Sequence, residues 1–182
     1  TGFGEYIFVE ETKYKVLTGV ARLTKDGQSV SGDTFSMINL PSGELLMALS
    51  DGMGSGTRAF DDSKNVIELL EQMSEAGFSQ TSAIRLINSL YVSDQEFENY
   101  ATLDISLINL YKGECSFLKN GAVGTYVLNQ GKMYCIEGQS LPMGVVSDAE
   151  PYIGKMSLYP GDYVIMMTDG VADMFSQERY NL

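Results

Sequence analysis

The sequence predicts an α+β domain in which antiparallel strands pack beside a layer of two helices. Short apolar runs bounded by glycine, proline and other turn residues occur before residue 52 and after residue 100. Between them, residues 57–91 carry apolar side chains at helical spacing. Because 182 residues suit one domain with a sizeable core, we expect a single domain over residues 1–182.

The N-terminal segments are predicted to contribute three strands. Residues 14–23 alternate weakly between apolar and polar side chains and are predicted to form a strand, and residues 25–29 have the composition of a loop. Residues 34–40 and 45–50 form two further runs on either side of the turn sequence Pro-Ser-Gly-Glu at 41–44. These two runs are expected to pair as an antiparallel hairpin.

An acidic residue, Asp51, ends the second strand of that hairpin, and Asp33 opens the first, so both are expected at one end of the pair. Three glycines within residues 52–56 let the chain turn sharply and leave backbone groups open to a ligand. Such a strand end suits a hard cation, although Asp-Gly is also a common turn pair and helix cap. The recurrence of the pattern at Asp169-Gly170, after another apolar run, favours a shared site.

Two amphipathic helices are predicted after the glycines. In residues 57–76, apolar side chains recur at Val66, Leu69, Leu70 and Met73, and Gly77 ends the pattern. Residues 79–91 repeat it, with Ser79 as a helix cap. Packing against the sheet is the ordinary explanation of both apolar stripes.

The remaining strands are predicted to form an antiparallel meander and a final hairpin. Regular spacing with glycine turns indicates four strands, over residues 101–111, 114–118, 125–128 and 132–136, after a loop over 93–100. Asp104 lies inside the first of them, so it either faces solvent or supports the site from behind. The final hairpin is expected over residues 156–158 and 163–168, and residues from Phe175 onward are compatible with a helix.

The composition excludes several kinds of chemistry. The chain has no histidine, which rules out Ser-His-Asp and Cys-His catalysis and histidine-ligated metals. A metal must then be held by oxygen, which favours Mg, Mn or Ca. The net charge of −12 argues against nucleic acid and anionic membranes as partners. The cysteines Cys115 and Cys135 are expected to be reduced core residues.

The sequence contains no recognisable targeting signal. No apolar run approaches the ~18 residues of a membrane span, and no charged-then-apolar leader precedes the first strand. We therefore expect a cytoplasmic domain in which this segment makes no membrane contact.

Taken together, the motifs resemble those of the metal-dependent PPM (type 2C) serine/threonine phosphatases, and most closely the bacterial branch that acts on anti-sigma-factor antagonists in sporulation. The resemblance covers nearly the whole chain in the right order. Its most specific mark is the sequence S-D-G-M-G-S-G at 50–56, followed by two helices, and it is also carried by G-D at 32–33, A-T-L-D at 101–104 and T-D-G at 168–170.

The resemblance implies an αββα sandwich of two antiparallel sheets that holds two Mn²⁺ or Mg²⁺ ions at one end. Asp51 would bridge both ions, the Gly52 carbonyl would complete one of them, Asp33 would bind that same ion directly or through water, and Asp169 would bind the other. Asp51 and Asp33 would thus serve catalysis, in which a metal-activated water hydrolyses a phosphoserine. Residues expected to support the site or to act in a switch are Thr102, Asp104, Gly54 and Gly56.

The resemblance also implies partners. The substrate would be a phosphorylated protein similar to an anti-sigma-factor antagonist, and the helices over residues 57–91 would act as a switch and a homodimer contact. Full-length relatives of this branch carry membrane and regulatory segments upstream, so a full-length parent is expected to be membrane-anchored.

One departure from the family pattern concerns a further aspartate, in a D-D-M-like segment some tens of residues after T-D-G. The chain does not reach it, so the domain is expected to be incomplete at its C-terminus, with the second ion loose, partly hydrated or absent.

Two alternative functions are considered: a phosphatase-fold module that only binds a regulatory protein, and a nucleotide-binding enzyme. The second is disfavoured because glycines at 52, 54 and 56 fit neither G-x-x-x-x-G-K-[S/T] nor G-x-G-x-x-G.

Overall fold

Two antiparallel sheets and three helices make up the regular structure of the described residues. The computed structural model describes residues 10–22, 24, 31–54, 56–93 and 100–178, with side chains as far as residue 173. The elements in chain order are β1 (Asp33–Asn39), β2 (Glu44–Asp51), α1 (Thr57–Glu75), α2 (Gln80–Ser93), β3 (Leu103–Asn109), β4 (Glu114–Asn120), β5 (Thr125–Asn129), β6 (Lys132–Ile136), β7 (Tyr152–Ser157), β8 (Tyr163–Ile165) and α3 (Asp169–Glu178).

The sheets and helices stack in layers around two apolar cores. The larger sheet has the strand order β1-β2-β3-β4-β7 and the smaller sheet has the order β6-β5-β8. One face of the larger sheet packs on α1 and α2 through a cluster that includes Leu46, Leu70 and Ile84. Its other face packs on the smaller sheet through Phe117 and Val127. The predicted α+β class, with two antiparallel sheets and flanking helices, is confirmed.

The predicted hairpin and the two predicted helices are also confirmed. Strands β1 and β2 pair antiparallel in a register that sets Asp33 opposite Asp51. Gly77 follows α1 with a left-handed φ of 86°, a conformation that favours glycine. The Ser79 hydroxyl accepts a hydrogen bond of 3.2 Å from the Ser82 amide and so caps α2. No helix in the described part of the chain is long and apolar enough to cross a membrane.

The predicted strand over residues 14–23 is wrong. Residues 10–22 contain no strand, and the Leu17 side chain is 100% exposed. A hydrogen bond of 2.9 Å from the Tyr14 amide to the Leu110 carbonyl holds the segment against the end of β3. In a strand, the even-numbered and the odd-numbered residues of this segment would lie on opposite faces. Each set mixes apolar with small or polar side chains, so neither face would be stabilised by burial. The loops predicted over 25–29 and most of 93–100 lie outside the described residues, as does Leu23.

The predicted four-strand meander is confirmed for its first pair, β3 with β4, and for its last pair, β5 with β6, but the predicted pairing of β4 with β5 is wrong. Strand β4 pairs with β3 and β7, whereas β5 leaves for the smaller sheet and pairs there with β6 and β8. The spacing of strands along the chain is the same whether the second strand pairs with the first or enters another sheet, so periodicity does not distinguish the two arrangements.

One cysteine prediction also fails, because Cys115 is buried but Cys135 is exposed.

The predicted final hairpin is wrong for the same reason. Its two strands, β7 and β8, lie in different sheets. The turn between them is held by the Asp162 carboxylate, which accepts hydrogen bonds of 2.8 Å each from the Asn129 side chain and the Gln130 amide of the β5–β6 turn. The helix expected from Phe175 onward begins earlier, at Asp169.

A close contact between β2 and α1 requires glycine at position 52. A Cβ atom built on Gly52 would lie 1.8 Å from the backbone oxygen of Ala59, well inside van der Waals contact. The helix therefore approaches the end of β2 as closely as it does because residue 52 has no side chain.

We expect Gly52→Ala to lower the free energy of unfolding by about 1–3 kcal/mol or more, because the added methyl group must displace the backbone of α1. Chemical denaturation in EDTA measures this without any contribution from bound metal. Gly19→Ala is the matched control, since among the described residues no atom other than those of its two chain neighbours lies within 4 Å of the added Cβ. Equal stability of the two variants would contradict the packing argument.

Candidate active site

The candidate site lies at the end of the larger sheet where β1 begins and β2 ends. Side chains alternate between the two faces of a sheet, and directly paired residues share a face. Phe117 packs between the sheets, so Lys119, two residues on, faces the same way, as does its partner Asp104. Asp104 is paired with Leu49 of β2. Asp51, two residues beyond Leu49, therefore also lies on the face toward the smaller sheet.

Asp169 reaches this place from the smaller sheet. The chain leaves β8 at Ile165, and the Thr168 hydroxyl donates a hydrogen bond of 3.2 Å to Asp33 Oδ2. Asp169 is the first residue of α3, where the positive end of the helix dipole favours a carboxylate. The T-D-G segment is thus brought to the start of β1, although no strand pairing connects them.

The electrostatics of Asp51 show how near the three carboxylates are to one another. Burial raises the pKa of Asp51 most, and the negative charges of Asp33 and Asp169, together with the hydrogen bonds they share with it, raise it further, to about 7. The structure therefore brings together Asp33, Asp51 and Asp169, which are the three acidic residues singled out in the sequence.

Thr102 and the glycines shape the backbone around Asp51. The Asp51 amide donates a hydrogen bond of 3.1 Å to the Thr102 hydroxyl, and the Thr102 amide donates one of 2.9 Å to the Asp51 carbonyl. These bonds fix the end of β2 against the chain that enters β3. Gly54 and Gly56 have left-handed φ values of 103° and 84°, which form the turn into α1 without strain only because they are glycines.

Asp104 does not face solvent. It is 2% exposed, and its Oδ2 lies 2.7 Å from Lys119 Nζ and 2.6 Å from the Thr125 hydroxyl. Burial raises the pKa of Asp104, and the Lys119 ammonium and the Thr125 hydroxyl oppose part of that rise. Asp104 also lines a cavity of about 150 Å³ between the sheets, whose other lining residues include Asp51, Thr102, Thr168 and Asp169.

Two basic residues near the site were missed by the sequence analysis. Arg22 donates hydrogen bonds of 2.7 Å to the Asp33 carbonyl and 3.2 Å to the Ser31 carbonyl, and its guanidinium lies 5.9 Å from the Phe60 ring centre. No sequence signal connects Arg22 to this place. Lys119 carried one, because it shares the inward phase of its strand with Cys115 and Phe117.

The donor atoms at the site suit a hard divalent cation. Carboxylate and backbone carbonyl oxygens are the ligands that Mg²⁺ and Mn²⁺ prefer, and crowded carboxylates gain from a bound positive charge. Within the described ranges, however, no three acidic or cysteine side chains form a ready-made metal site. The side chains fit the chemistry of an ion but would have to close around it.

Comparison with known proteins identifies the family. The sequence model of the family described as Stage II sporulation protein E (SpoIIE) matches residues 41–181. Stage II sporulation protein E of Bacillus subtilis (strain 168) is 36% identical over 170 residues, which are 93% of this chain and 21% of that protein. The chain thus spans about a fifth of the length of this relative.

Solved structures agree with this assignment. The PP2C phosphatase domain of SpoIIE from Bacillus subtilis, solved with a fragment of its regulatory domain, matches with a TM-score of 0.77 and 36% identity, over 85% of this chain and 45% of that one. A structure of RsbX in complex with magnesium matches with a TM-score of 0.67 and 26% identity, over 81% and 71% of the two chains. The chain therefore belongs to the stage II sporulation protein E family, and its fold is that of a PP2C-type serine phosphatase domain.

Proposed function

We propose that this protein is a metal-dependent protein phosphatase that hydrolyses a phosphoserine on a regulatory protein. The observation that carries the proposal is the gathering of Asp33 and Asp51, paired across β1 and β2 of the larger sheet, with Asp169 at the start of α3. Burial, and then the charges of the two neighbouring carboxylates, raise the pKa of Asp51 to about 7. A protein gains nothing in stability by gathering like charges, and such arrangements cluster at functional sites. The fold in which they occur is that of a serine phosphatase family.

The proposed cofactor is a pair of Mn²⁺ or Mg²⁺ ions held by Asp33, Asp51, Asp169 and the Gly52 carbonyl. When bound, two such ions position the phosphoryl oxygens and lower the pKa of a water nucleophile, which supplies the base that a chain without histidine lacks. Both Asp33 and Asp169 act on the Asp51 carboxylate, which would offset the repulsion between the ions. The Thr168 hydroxyl orients Asp33.

The proposed substrate is a phosphoserine protein similar to an anti-sigma-factor antagonist. Support comes from the phosphoserine phosphatase RsbX of Bacillus subtilis, which is 40% identical over 65 residues, covering 36% of this chain and 32% of that protein. The net charge of −12 makes an exposed nucleic acid an unfavourable ligand, whereas a phosphoserine would be attracted through the bound ions. Homodimerisation through residues 57–91 belongs to the same proposal.

Phosphate release from a phosphoserine peptide tests the proposal. We expect release with Mn²⁺ and none with EDTA, and we expect Asp51→Asn to fall to the level of buffer alone, because it removes the carboxylate that would hold both ions. Asp148→Asn, the same change at an exposed loop residue, is the matched control. Manganese-dependent turnover by Asp51→Asn would contradict the assignment. An inactive wild-type protein that still binds its regulatory partner would favour the binding module instead.

A second prediction separates the two ions. Asp169→Asn is expected to weaken the second ion more than the first, because Asp169 enters from α3 whereas Asp33 and Asp51 are paired across β1 and β2. A two-site Mn²⁺ titration by calorimetry measures both constants. Equal weakening at both sites would count against separate roles for the carboxylates.

The pKa of Asp51 predicts how the metal-free protein responds to pH. Its pKa rises from 3.8 to about 7 on folding, so between these values the folded state binds the proton that the unfolded state has lost. Stability in EDTA should therefore fall as pH rises from about 4 to about 7, and Asp51→Asn should lose this component. We expect the variant to have the higher Tm at pH 8. A lower Tm for Asp51→Asn at pH 8 in EDTA would refute the repulsion argument.

A further inference from the structure

A buried ion pair lies beside the candidate site and has no part in the function proposed above. Lys119 and Asp104 are paired across β3 and β4, with 0% and 2% of their side chains exposed. Burying two charges is costly unless the geometry and the surrounding hydrogen bonds are good. The pair is therefore stable at this position only if the neighbouring groups complete its hydrogen bonds.

The two oxygens of the Asp104 carboxylate are in different situations. Oδ2 accepts hydrogen bonds from Lys119 Nζ at 2.7 Å and from the Thr125 hydroxyl at 2.6 Å. Oδ1 is buried and has no hydrogen-bond partner in the part of the chain that the structure describes. A buried acceptor left unpaired is destabilising, so such an atom normally faces a ligand or an ordered water.

The cavity next to Asp104 offers room for that partner. Asp104 lines it together with Asp51, Thr102 and Asp169, and its volume is about 150 Å³. A polar cavity of this size can hold several water molecules that bridge the groups on its walls.

Lys119 supports the wall of this cavity from behind, although it does not itself line the cavity. Its ammonium donates hydrogen bonds of 2.7 Å to the Val123 carbonyl and 2.8 Å to the Thr125 hydroxyl, and Val123 belongs to the same lining. The lysine thus fixes both the Asp104 carboxylate and the connection between β4 and β5. Because the ion pair is neutral as a whole, it adds no net negative charge to the three crowded carboxylates.

We propose that Asp104 is a positioning residue whose Oδ1 accepts a hydrogen bond from a water molecule in the hydration shell of the cation at Asp51 and Asp169, with Lys119 and Thr125 holding the carboxylate in place. This inference rests on the metal site of the proposed function. In this inference, the buried ion pair orders a water molecule bound to the cation, whereas the carboxylates of the proposed metal site contact the cation directly.

Asp104→Asn tests the inference, because the amide keeps the shape of the side chain but places a donor where the cavity now meets an acceptor. We expect Mn²⁺ affinity, measured by electron paramagnetic resonance of the free ion, to weaken about 10–100-fold. The relaxation enhancement of water protons per bound Mn²⁺ is expected to change as well, and a merely structural role would leave it unaltered.

Ser106→Ala is the matched control. Ser106 lies on the same strand and face as Asp104, is equally buried and also has an unpaired oxygen among the described residues, but it does not line the cavity. The Mn²⁺ affinity of Ser106→Ala and its relaxation enhancement of water protons should match those of the wild type. Thr125→Val is a second variant, which removes one hydrogen bond to Oδ2 and should weaken Mn²⁺ binding by a smaller factor.

The outcomes separate this inference from the proposed function. If the wild type binds Mn²⁺ and Asp104→Asn retains its affinity and relaxation, the positioning role is overturned and the phosphatase proposal stands. If Asp104→Asn does not fold, unchanged Mn²⁺ affinity in Thr125→Val overturns it instead. If the wild type binds no Mn²⁺, the proposed function fails and this inference fails with it.

Discussion

Repulsion between carboxylates is the constraint on which the arrangement of the site depends. Burial, and then the nearby charges of Asp33 and Asp169, raise the pKa of Asp51 to about 7, so the fold must supply the energy that keeps the three carboxylates together. Strand pairing fixes Asp33 opposite Asp51, and the hydrogen bond from Thr168 to Asp33 fixes the segment that carries Asp169. The backbone bonds of Thr102 hold the strand end itself.

The two acidic centres between the sheets are treated differently by their surroundings. Asp104 is more deeply buried than Asp51, yet it is neutralised by Lys119 and bonded to Thr125. Asp51 and Asp169 line a cavity in which none of the described lining residues is a lysine or an arginine. A structural charge is thus compensated within the protein, whereas the compensation of the functional charges is left to a ligand.

What the sequence could predict depended on how local each contact is. The pairing of Asp33 with Asp51 followed from one tight hairpin, because a turn fixes the register of both strands. The arrival of Asp169 is a contact across 118 residues or more, and it was inferred only from a repeated motif and the family resemblance. The sheet to which β5 and β8 belong was not predictable, since a change of sheet leaves no mark on strand spacing. Arg22 had no signal, but the alternation of β4 could have revealed Lys119.

The packing of the two sheets against each other also assembles the candidate site. Lys119 belongs to the larger sheet and Thr125 to the smaller one, and their hydrogen bond of 2.8 Å crosses between the layers beside the cavity. The Thr168 hydroxyl, three residues after the end of β8, makes a second link through its hydrogen bond to Asp33 at the start of β1. Since neither sheet holds the complete set of carboxylates, any motion that parts the layers also disperses the donors. A cation bound there would in turn hold the layers together, because it binds only the closed arrangement.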